Sequence, residues 1–156
     1  MKLSWFFGYT LVLALWVGGM VLFTAILTPV IFKSYPRDMA GEIVGRLFPG
    51  YFLYNLVLAA AALILFFVIA NDQSKLPYRL SLICATTALL INLFIVFKLH
   101  PDTVRVKQQV ASFESEAPDS PARKEFRKLH GISAVLNLVL IAEGITLLVA
   151  APLLRK

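Results

Sequence analysis

Long uncharged or nearly uncharged runs dominate the pattern of hydrophobic and polar positions along this chain. The runs cover Leu3–Phe32, Leu47–Ala70, Leu80–Phe97 and Gly131–Leu154. Each run is close to or above the ~18–20 residues that a helix needs to cross ~30 Å of hydrocarbon, and continuous apolar runs exclude a transmembrane β-barrel. The pattern therefore predicts one all-α domain over residues 1–156, a polytopic membrane protein built as a four-transmembrane-helix bundle. The predicted spans lie at about 3–32, 48–70, 78–98 and 129–153.

The first run is too long to be a secretory signal peptide. It extends over 30 residues, whereas the apolar part of a signal peptide has ~7–15 residues and precedes a small-residue cleavage site. We therefore expect a retained first span that is tilted or bent near Pro29.

The segment between the first two spans has helical amphipathicity. In PRDMAGEIVGRLF, the apolar residues Met39, Ala40, Ile43, Val44 and Leu47 fall on one side of a helical wheel, and Asp38, Glu42 and Arg46 fall on the other. This pattern predicts an interfacial helix at about 36–47. Gly41 and Gly45 share a face, which would let this helix press closely on a neighbour. A packed surface helix and a moving gate are both compatible with it.

The third connection, at about 99–128, contains several parts. DTVRVKQQVASF predicts a surface helix, and ESEAPDSP is an acidic linker that contains proline. Ser120 and Pro121 resemble an N-cap followed by proline at the first helical position. We therefore expect the fourth helix to begin near Pro121, in water, and to continue into the membrane.

Composition and charge support a membrane protein and not a nucleic-acid-binding one. Hydrophobic residues make up 59% of the chain, charged residues only 15%, and the mean hydropathy is +0.79, whereas soluble domains are about a quarter charged. The net charge of +6 is explained by Lys and Arg flanking the spans. Ten of them lie at 33–46 and 98–128, against five near the termini and the 71–79 turn. The positive-inside rule then predicts cytoplasmic long connections and outside termini, in a bacterial inner membrane.

Polar side chains collect in the half of the bilayer that lies toward the two long connections. The candidate cavity residues are His130, Ser133, Asn137, Asn92 and Asn55. His130, Ser133, Asn137 and Gly144 form one narrow stripe on the fourth helix, polar and then small, which should face other helices. We expect Asn92 and Asn137 to approach each other across antiparallel helices. Hydrogen bonding between helices and a cavity that accepts a ligand or ion both explain the pattern, while the other half of the bilayer reads as mostly aliphatic.

Glu143 is the exception in that other half. It lies near mid-bilayer, ~120° around the helix from the polar stripe, where a charged carboxylate is expensive unless it is protonated, paired or facing a cavity. Proton coupling and a neutral, hydrogen-bonded contact between helices or subunits both remain open. The single cysteine, Cys84, is expected to be buried packing.

Three residues in the middle of the first span are candidates for helix contact. Trp16, Gly18 and Gly19 occupy adjacent positions, and glycines in a span permit close approach or a local kink. We group them with Gly41 and Gly45 as helix-contact positions.

Several motifs together carry a resemblance to a known family. They are Trp16-x-Gly18-Gly19, Ala40-Gly41, Gly45-x-Leu47-Phe48-Pro49-x-Tyr51-Phe52, Asn92, Pro101 and Phe126-x-x-x-His130-Gly131-x-Ser133-x-x-x-Asn137-Leu138. On these the chain resembles the transmembrane-protein-205-like family of four-span proteins, largely described as a domain of unknown function. The human member is associated with resistance to platinum drugs, which implies export or trafficking. Glu143 and His100 depart from the family pattern, so neither takes a role from it.

The family is also distantly similar to four-helix membrane proteins of copper resistance and haem synthesis, which makes haem or metal binding the rival hypothesis. Haem ligation would most simply use His100 and His130, which are predicted at the same membrane face. No Cys/His cluster supports a dedicated metal site, and no motif indicates hydrolysis or phosphate handling. We therefore predict no cofactor and no catalytic residue.

The sequence favours a membrane-embedded protein that binds or transports a small solute, an ion or a lipid. We expect an oligomer, because four helices enclose little space. The alternatives are a non-catalytic membrane assembly subunit and a redox protein that binds haem or quinone. Membrane lipid is the expected surrounding partner, and no nucleic acid is expected.

Overall fold

Four long helices make up most of the protein. The computed structural model describes residues 2–70, 76–117 and 119–154. Within them lie α1 (Leu3–Ser34), α2 (Arg37–Ile69), α3 (Leu76–Lys107) and α4 (Pro121–Leu154), and no strand. By length and composition each of the four is able to cross a membrane. The all-α, four-span prediction is confirmed, and the chain is an integral membrane protein.

The helices form an up-and-down bundle in which each packs on the next. α1 packs against α2 and α4, and α3 packs against the same two helices, so α1 and α3 face each other across one diagonal of the bundle. We call the end where α1 and α3 finish the long-connection side, and the opposite end the terminus side. Large buried side chains and alanines fill the centre: Tyr9, Leu13, Trp16, Met20, Phe66, Ala59, Ala62, Ala85, Ala88 and Ala151. The alanines let neighbouring helices approach closely.

The outer surface of the bundle carries large apolar side chains. Phe7 is 67% exposed, Phe97 71% and Val149 70%. Contiguous apolar surface of this kind is rare on proteins that are surrounded by water. Hydrocarbon is the solvent that suits it, so these faces point toward lipid.

The predicted surface helix is helical but is not a separate element. Residues 36–47 fall almost entirely within α2, which runs unbroken from Arg37 to Ile69 through Pro49. At ~1.5 Å per residue α2 is ~50 Å long, well beyond the ~30 Å of hydrocarbon. Its first turns therefore project on the long-connection side, where Glu42 and Arg46 form an exposed ion pair of 2.5 Å.

Two π-helical turns, Leu22–Leu27 in α1 and Ile95–Leu99 in α3, interrupt the regular spans. Each is followed two residues later by a proline, Pro29 or Pro101, which has no N–H for the carbonyl four residues earlier and crowds it. Those carbonyls lie inside the π turns. The local widening of the helix lets them accept hydrogen bonds from other donors, because a backbone carbonyl in hydrocarbon needs a partner. An irregularity thus precedes Pro29, where the sequence predicts a bend or tilt. Pro101 does not end α3, which continues to Lys107.

The connection between α3 and α4 is fastened to the projecting part of α2. Asp38 accepts hydrogen bonds from the Ser112 hydroxyl and the Phe113 N–H, both at 2.6 Å. Lys107 donates through Nζ to the Gly41 carbonyl at 2.7 Å. The helix predicted over residues 102–113 ends at Lys107, and turns follow it. The predicted start of the fourth helix at Pro121 is confirmed.

Candidate functional site

A network of three polar side chains ties three helices together near the long-connection side. The Tyr51 hydroxyl donates to Asn137 Oδ1 at 2.5 Å, and Asn137 Nδ2 donates to Thr24 Oγ1 at 2.8 Å. Tyr51 reaches across the diagonal from α2 to α4, and its ring stacks on Phe23 with centroids 4.0 Å apart. Both ends of the Asn137 amide are therefore bonded, and the two bonds join α1, α2 and α4 at this level.

Sequence reasoning identified Asn137 and missed Tyr51. The signal was available, because a tyrosine inside an apolar span must find a partner for its hydroxyl. Thr24 lies in the π turn Leu22–Leu27, so the irregular segment supplies one member of the network. π turns recur at functional sites.

Asn92 and Asn55 are buried but bond within their own helices. Asn92 donates to the Ala88 carbonyl at 2.9 Å, and Asn55 donates to the Tyr51 carbonyl at 3.0 Å. The hydrogen bonds of Asn137 go to Tyr51 and Thr24 and not to Asn92, and the approach of Asn92 to Asn137 stays a prediction. Asn55 Oδ1 has no partner among the described residues.

The depths of these amides can be read from the antiparallel packing of α3 and α4. Thr87 contacts Glu143, so Asn92, five residues further along α3, is level with Leu138, five residues earlier on α4. Asn92 and Asn137 thus share a depth although they do not pair. His100 is level with His130 on the same basis.

The two histidines and Ser133 lie outside this network. His130 is exposed and stacks on Phe126, one turn earlier on its own helix, with centroids 5.8 Å apart. His100 is half-buried against the edges of Phe48 and Phe52. Ser133 is also half-buried. Of the polar residues in the predicted stripe, only Asn137 takes part in this network. The described residues contain no group of three His, Cys, Asp or Glu placed to hold a metal.

Glu143 contacts α3 at the seam between α3 and α4. The Thr87 Oγ1 and Glu143 Oε1 atoms are 2.6 Å apart. The other carboxyl oxygen, Oε2, is shielded and has no partner among the described residues. Glu143 is therefore only half satisfied, in contrast to Asn137 on the same helix.

The half of the bundle toward the terminus side is more polar than the sequence suggested. Tyr9 and Ser81 are both 0% exposed, and their hydroxyls have no partner in the described part of the chain. Cys84 is buried as predicted and lies in the same core cluster as Tyr9. Tyr9 and Ser81 thus add two buried hydroxyls to a half that the sequence predicts to be mostly aliphatic.

Together these side chains form what we call the polar path. Its members are Tyr51, Asn137, Thr24, Asn92, Asn55, Trp16, Glu143, Thr87, Cys84, Ser81 and Tyr9. Gly144 lies against Trp16, Val17 and Met20, which places Glu143 just on the terminus side of the Asn137 network. Ser81 precedes Thr87 by ~9 Å of helix rise, so it lies still nearer the terminus side. The polar path thus crosses both halves of the bundle.

Close helix contacts occur at only some of the predicted glycines. A Cβ on Gly19 would lie 2.6 Å from the Tyr54 hydroxyl, so this position does need glycine. Gly45 faces the Lys107 ammonium group, whereas a Cβ on Gly18 or Gly41 would meet no atom within 4 Å. Neither glycine is therefore required for close side-chain packing against the described residues, although the Gly41 carbonyl accepts the hydrogen bond from Lys107. Trp16 is fully buried in the core.

Gly144, which belongs to the stripe predicted to face other helices, is a tight contact. A Cβ there would lie 2.6 Å from Val17 Cγ2, so glycine lets α1 and α4 approach closely at mid-bundle. It lies next to Glu143 and so fixes the depth at which that carboxyl meets α3.

Comparisons with known proteins give a family but no activity. An uncharacterised protein of Aquifex aeolicus (strain VF5) is 26% identical over 129 residues, which cover 83% of each chain. No solved structure matches. The family described as "Domain of unknown function (DUF4149)" matches residues 11–112, and neither comparison carries the transmembrane-protein-205-like name or the copper and haem similarity. Because that match covers well over half of the sequence, the chain belongs to the DUF4149 family.

Proposed function

We propose that the protein binds a small polar solute and moves it through the membrane along the polar path. The observation that carries the proposal is a set of buried polar atoms without partners among the described residues: Tyr9 Oη, Trp16 Nε1, Asn55 Oδ1, Ser81 Oγ and Glu143 Oε2. An unpaired polar group in an apolar surrounding costs several kcal/mol. Buried groups of this kind are normally satisfied by water or by a ligand, so a polar guest inside the bundle would offset that cost.

The Tyr51–Asn137–Thr24 network supports a closed gate on the long-connection side. It joins α1, α2 and α4 through two hydrogen bonds, and the unpaired atoms lie behind it. Both π turns lie in this half of the bundle, where a change from π to α geometry would shift Thr24 relative to Asn137. Opening then requires only that the two hydrogen bonds be exchanged for bonds to the solute.

The chemistry of the polar path narrows the solute class. Hydroxyl, amide, indole, thiol and carboxyl groups line it, and none of its described members is cationic. In a narrow pore, the groups that replace the hydration shell of the solute determine which solutes pass. The proposed solute is therefore neutral or cationic, has a few non-hydrogen atoms, and both donates and accepts hydrogen bonds.

The proposal includes an orientation. Cationic residues are more numerous on the long-connection side, where Arg46, Lys98 and Arg105 are exposed ion-pair partners. This bias supports cytoplasmic long connections and outside termini in a bacterial inner membrane. Impermeant thiol labelling in spheroplasts tests it with a cysteine placed at Ser115 in a Cys84→Ala background, and labelling of Ser115→Cys from outside would reverse the orientation.

Transport is tested with purified protein in vesicles. Stopped-flow light scattering follows entry of small polyols and amides, and a pH-sensitive dye inside the vesicles follows entry of ammonium-type solutes. The wild type should admit at least one solute faster than empty vesicles, and Tyr51→Phe should increase that rate because the gate loses its hydrogen bond. Tyr54→Phe is the matched control, since the Tyr54 hydroxyl bonds the Leu15 carbonyl and not Asn137.

Two results would overturn the transport proposal. One is a rate equal to that of empty vesicles for both the wild type and Tyr51→Phe across the solute panel. The other is a visible absorption spectrum with about one haem per chain, which would favour the redox alternative. Native mass measured on the same preparation tests the proposed homo-oligomer, and a mass of one chain would contradict it.

A further inference from the structure

The Thr87 hydroxyl has more acceptors than protons. It lies 2.8 Å from the Ile83 carbonyl, 3.2 Å from the Cys84 carbonyl and 2.6 Å from Glu143 Oε1. A hydroxyl carries a single proton, and threonine in a span commonly gives it to the carbonyl four residues earlier. The Thr87 hydroxyl can give this proton to Glu143 Oε1 or to a carbonyl of its own helix. In the second arrangement the carboxyl is protonated, and the acid O–H donates to Thr87 Oγ1.

Among the described residues, no cation forms an ion pair with Glu143. Its hydrogen-bond contact is with Thr87 on α3. Along α3 the nearest described cations are Arg79 and Lys98, ~12 and ~16 Å of helix rise from Thr87. A bare carboxylate at this depth is costly, whereas a carboxylic acid leaves only a neutral carbonyl oxygen unpaired at Oε2.

Two buried hydroxyls extend from this carboxyl toward the terminus side. Ser81 and Tyr9 are fully buried with unpartnered hydroxyl oxygens, and each can both donate and accept a hydrogen bond. On the other side of Glu143, the Asn137 amide is already bonded at both ends. The buried hydroxyls without a partner among the described residues, Tyr9 and Ser81, therefore both lie nearer the terminus side than the carboxyl.

The geometry points to Glu143 as an exchangeable proton-binding site inside the bilayer, one that takes up its proton from the terminus side by way of Tyr9 and Ser81. The carboxylate binds one proton to form the acid, and the acid releases one proton when the site empties. This inference deepens the proposed function, on which it rests for its role, by naming a proton as the coupled ion. The presence of the bound proton does not depend on any solute.

Infrared difference spectroscopy of the full-length protein in lipid tests the bound proton directly. At neutral pH the wild type should show a carbonyl stretch of a protonated carboxylic acid, which shifts in heavy water and is lost in Glu143→Gln. A hydrophobic carbodiimide should label the wild type, and this labelling should also be lost in Glu143→Gln. Glu125→Gln replaces an exposed acid on the same helix and should change neither signal. A wild type with only carboxylate bands and no carbodiimide labelling at neutral pH contradicts the inference.

The route and the coupling are tested by replacing the two hydroxyls. Tyr9→Phe and Ser81→Ala should slow the heavy-water exchange of the acid band while leaving the band itself present. Unchanged exchange in the double variant would refute the terminus-side route. In vesicles, a pH gradient that drives protons inward should accelerate solute entry in the wild type and not in Glu143→Gln. Equal acceleration in both proteins would refute coupling. Solute transport that is absent in a protein with a confirmed acid band would instead count against the proposed function alone.

Discussion

Asn137 and Glu143 lie six residues apart on α4 and present two opposite solutions to a polar group in hydrocarbon. In Asn137 both the amide nitrogen and the amide oxygen are hydrogen-bonded, to Thr24 and Tyr51 respectively. Glu143 has one oxygen against Thr87 and another without a partner in the described chain. A fully satisfied group stabilises one conformation, whereas a half-satisfied one is sensitive to protons, water and ligands. The comparison places structural closure at Asn137 and chemistry at Glu143.

The largest expected effect tests the structural side of this comparison. Asn137→Leu removes two hydrogen bonds and leaves the Tyr51 hydroxyl without an acceptor, so it should lower the free energy of unfolding by about 2–4 kcal/mol. Equilibrium unfolding in mixed micelles measures the change. Ser133→Ala, one turn earlier on the same helix, serves as the control and should change stability by under ~0.5 kcal/mol. A loss of under ~1 kcal/mol at Asn137 would show that the network does not hold the helices.

A smaller loss of stability is expected at the close contact between α1 and α4, which fixes the depth of Glu143. Gly144→Ala places a Cβ 2.6 Å from Val17 Cγ2 and should cost about 1–3 kcal/mol through overpacking between α1 and α4. Gly131→Ala is the matched control on the same helix, because its Cβ would meet nothing within 4 Å. That variant should be neutral or gain up to ~1 kcal/mol from helix propensity. Equal effects of the two substitutions would contradict the close helix contact at Gly144.

Glu143 should matter little for stability, which sharpens the contrast with Asn137. Glu143→Gln keeps the shape of the side chain and its contact with Thr87, so unfolding should change by under ~1 kcal/mol in either direction. The double variant Glu143→Leu with Thr87→Val removes both partners and should also be near neutral. A loss comparable to that of Asn137→Leu, measured in the same mixed micelles, would make Glu143 a structural residue.

The smallest effect concerns acid pH and separates the surface connection from Glu143. The hydrogen bond from the Ser120 hydroxyl, helped by the Ala111 and Ser112 N–H groups and by Arg123, holds the pKa of Glu116 below its usual value. A lowered folded-state pKa contributes stability that is present above the unfolded value of ~4.3 and is lost as pH falls through the folded value. Protection of the amides at 108–117, taken as the exchange rate relative to the intrinsic rate at the same pH, should therefore fall only in that acid range.

Glu116→Gln provides the control for this pH dependence. Exchange at 108–117 should be faster in this variant at neutral pH and should no longer respond to acid. If acceleration instead begins near neutral pH in the wild type, a group other than Glu116 controls the connection. Any pH effect on transport near neutrality is then assigned to Glu143 and not to this segment.

The four spans could be predicted from sequence because the hydrocarbon thickness imposes a minimum length on any apolar helix. The same rule does not show where one helical segment continues into the next. Residues 36–47 have an amphipathic pattern that is typical of a separate surface helix, yet they continue into α2 because no residue at the junction stops a helix. Pro49 lies close to this junction, but the helical turn before it accommodates the missing N–H.

The candidate site was predictable only in part. A stripe with helical periodicity identified Asn137, and the cost of an acid in lipid identified Glu143. The partners Tyr51 and Thr87 were not identified, because an isolated hydroxyl in an apolar run has no periodicity to follow. Asn92 and Asn137 share a depth but bond to different partners, since equal depth does not fix which helix a side chain faces.

The sequence by itself determined that this chain enters a membrane, crosses it with four helices, and carries polar groups into the interior. These are consequences of length, hydropathy and helical period, which act locally along the chain. Only the tertiary structure decided that Tyr51 reaches Asn137 across the bundle and that Glu143 meets Thr87 at a seam. Partner choice depends on how helices rotate and tilt against each other, and that is set by contacts such as Gly19 against Tyr54 and Gly144 against Val17, between positions distant in sequence.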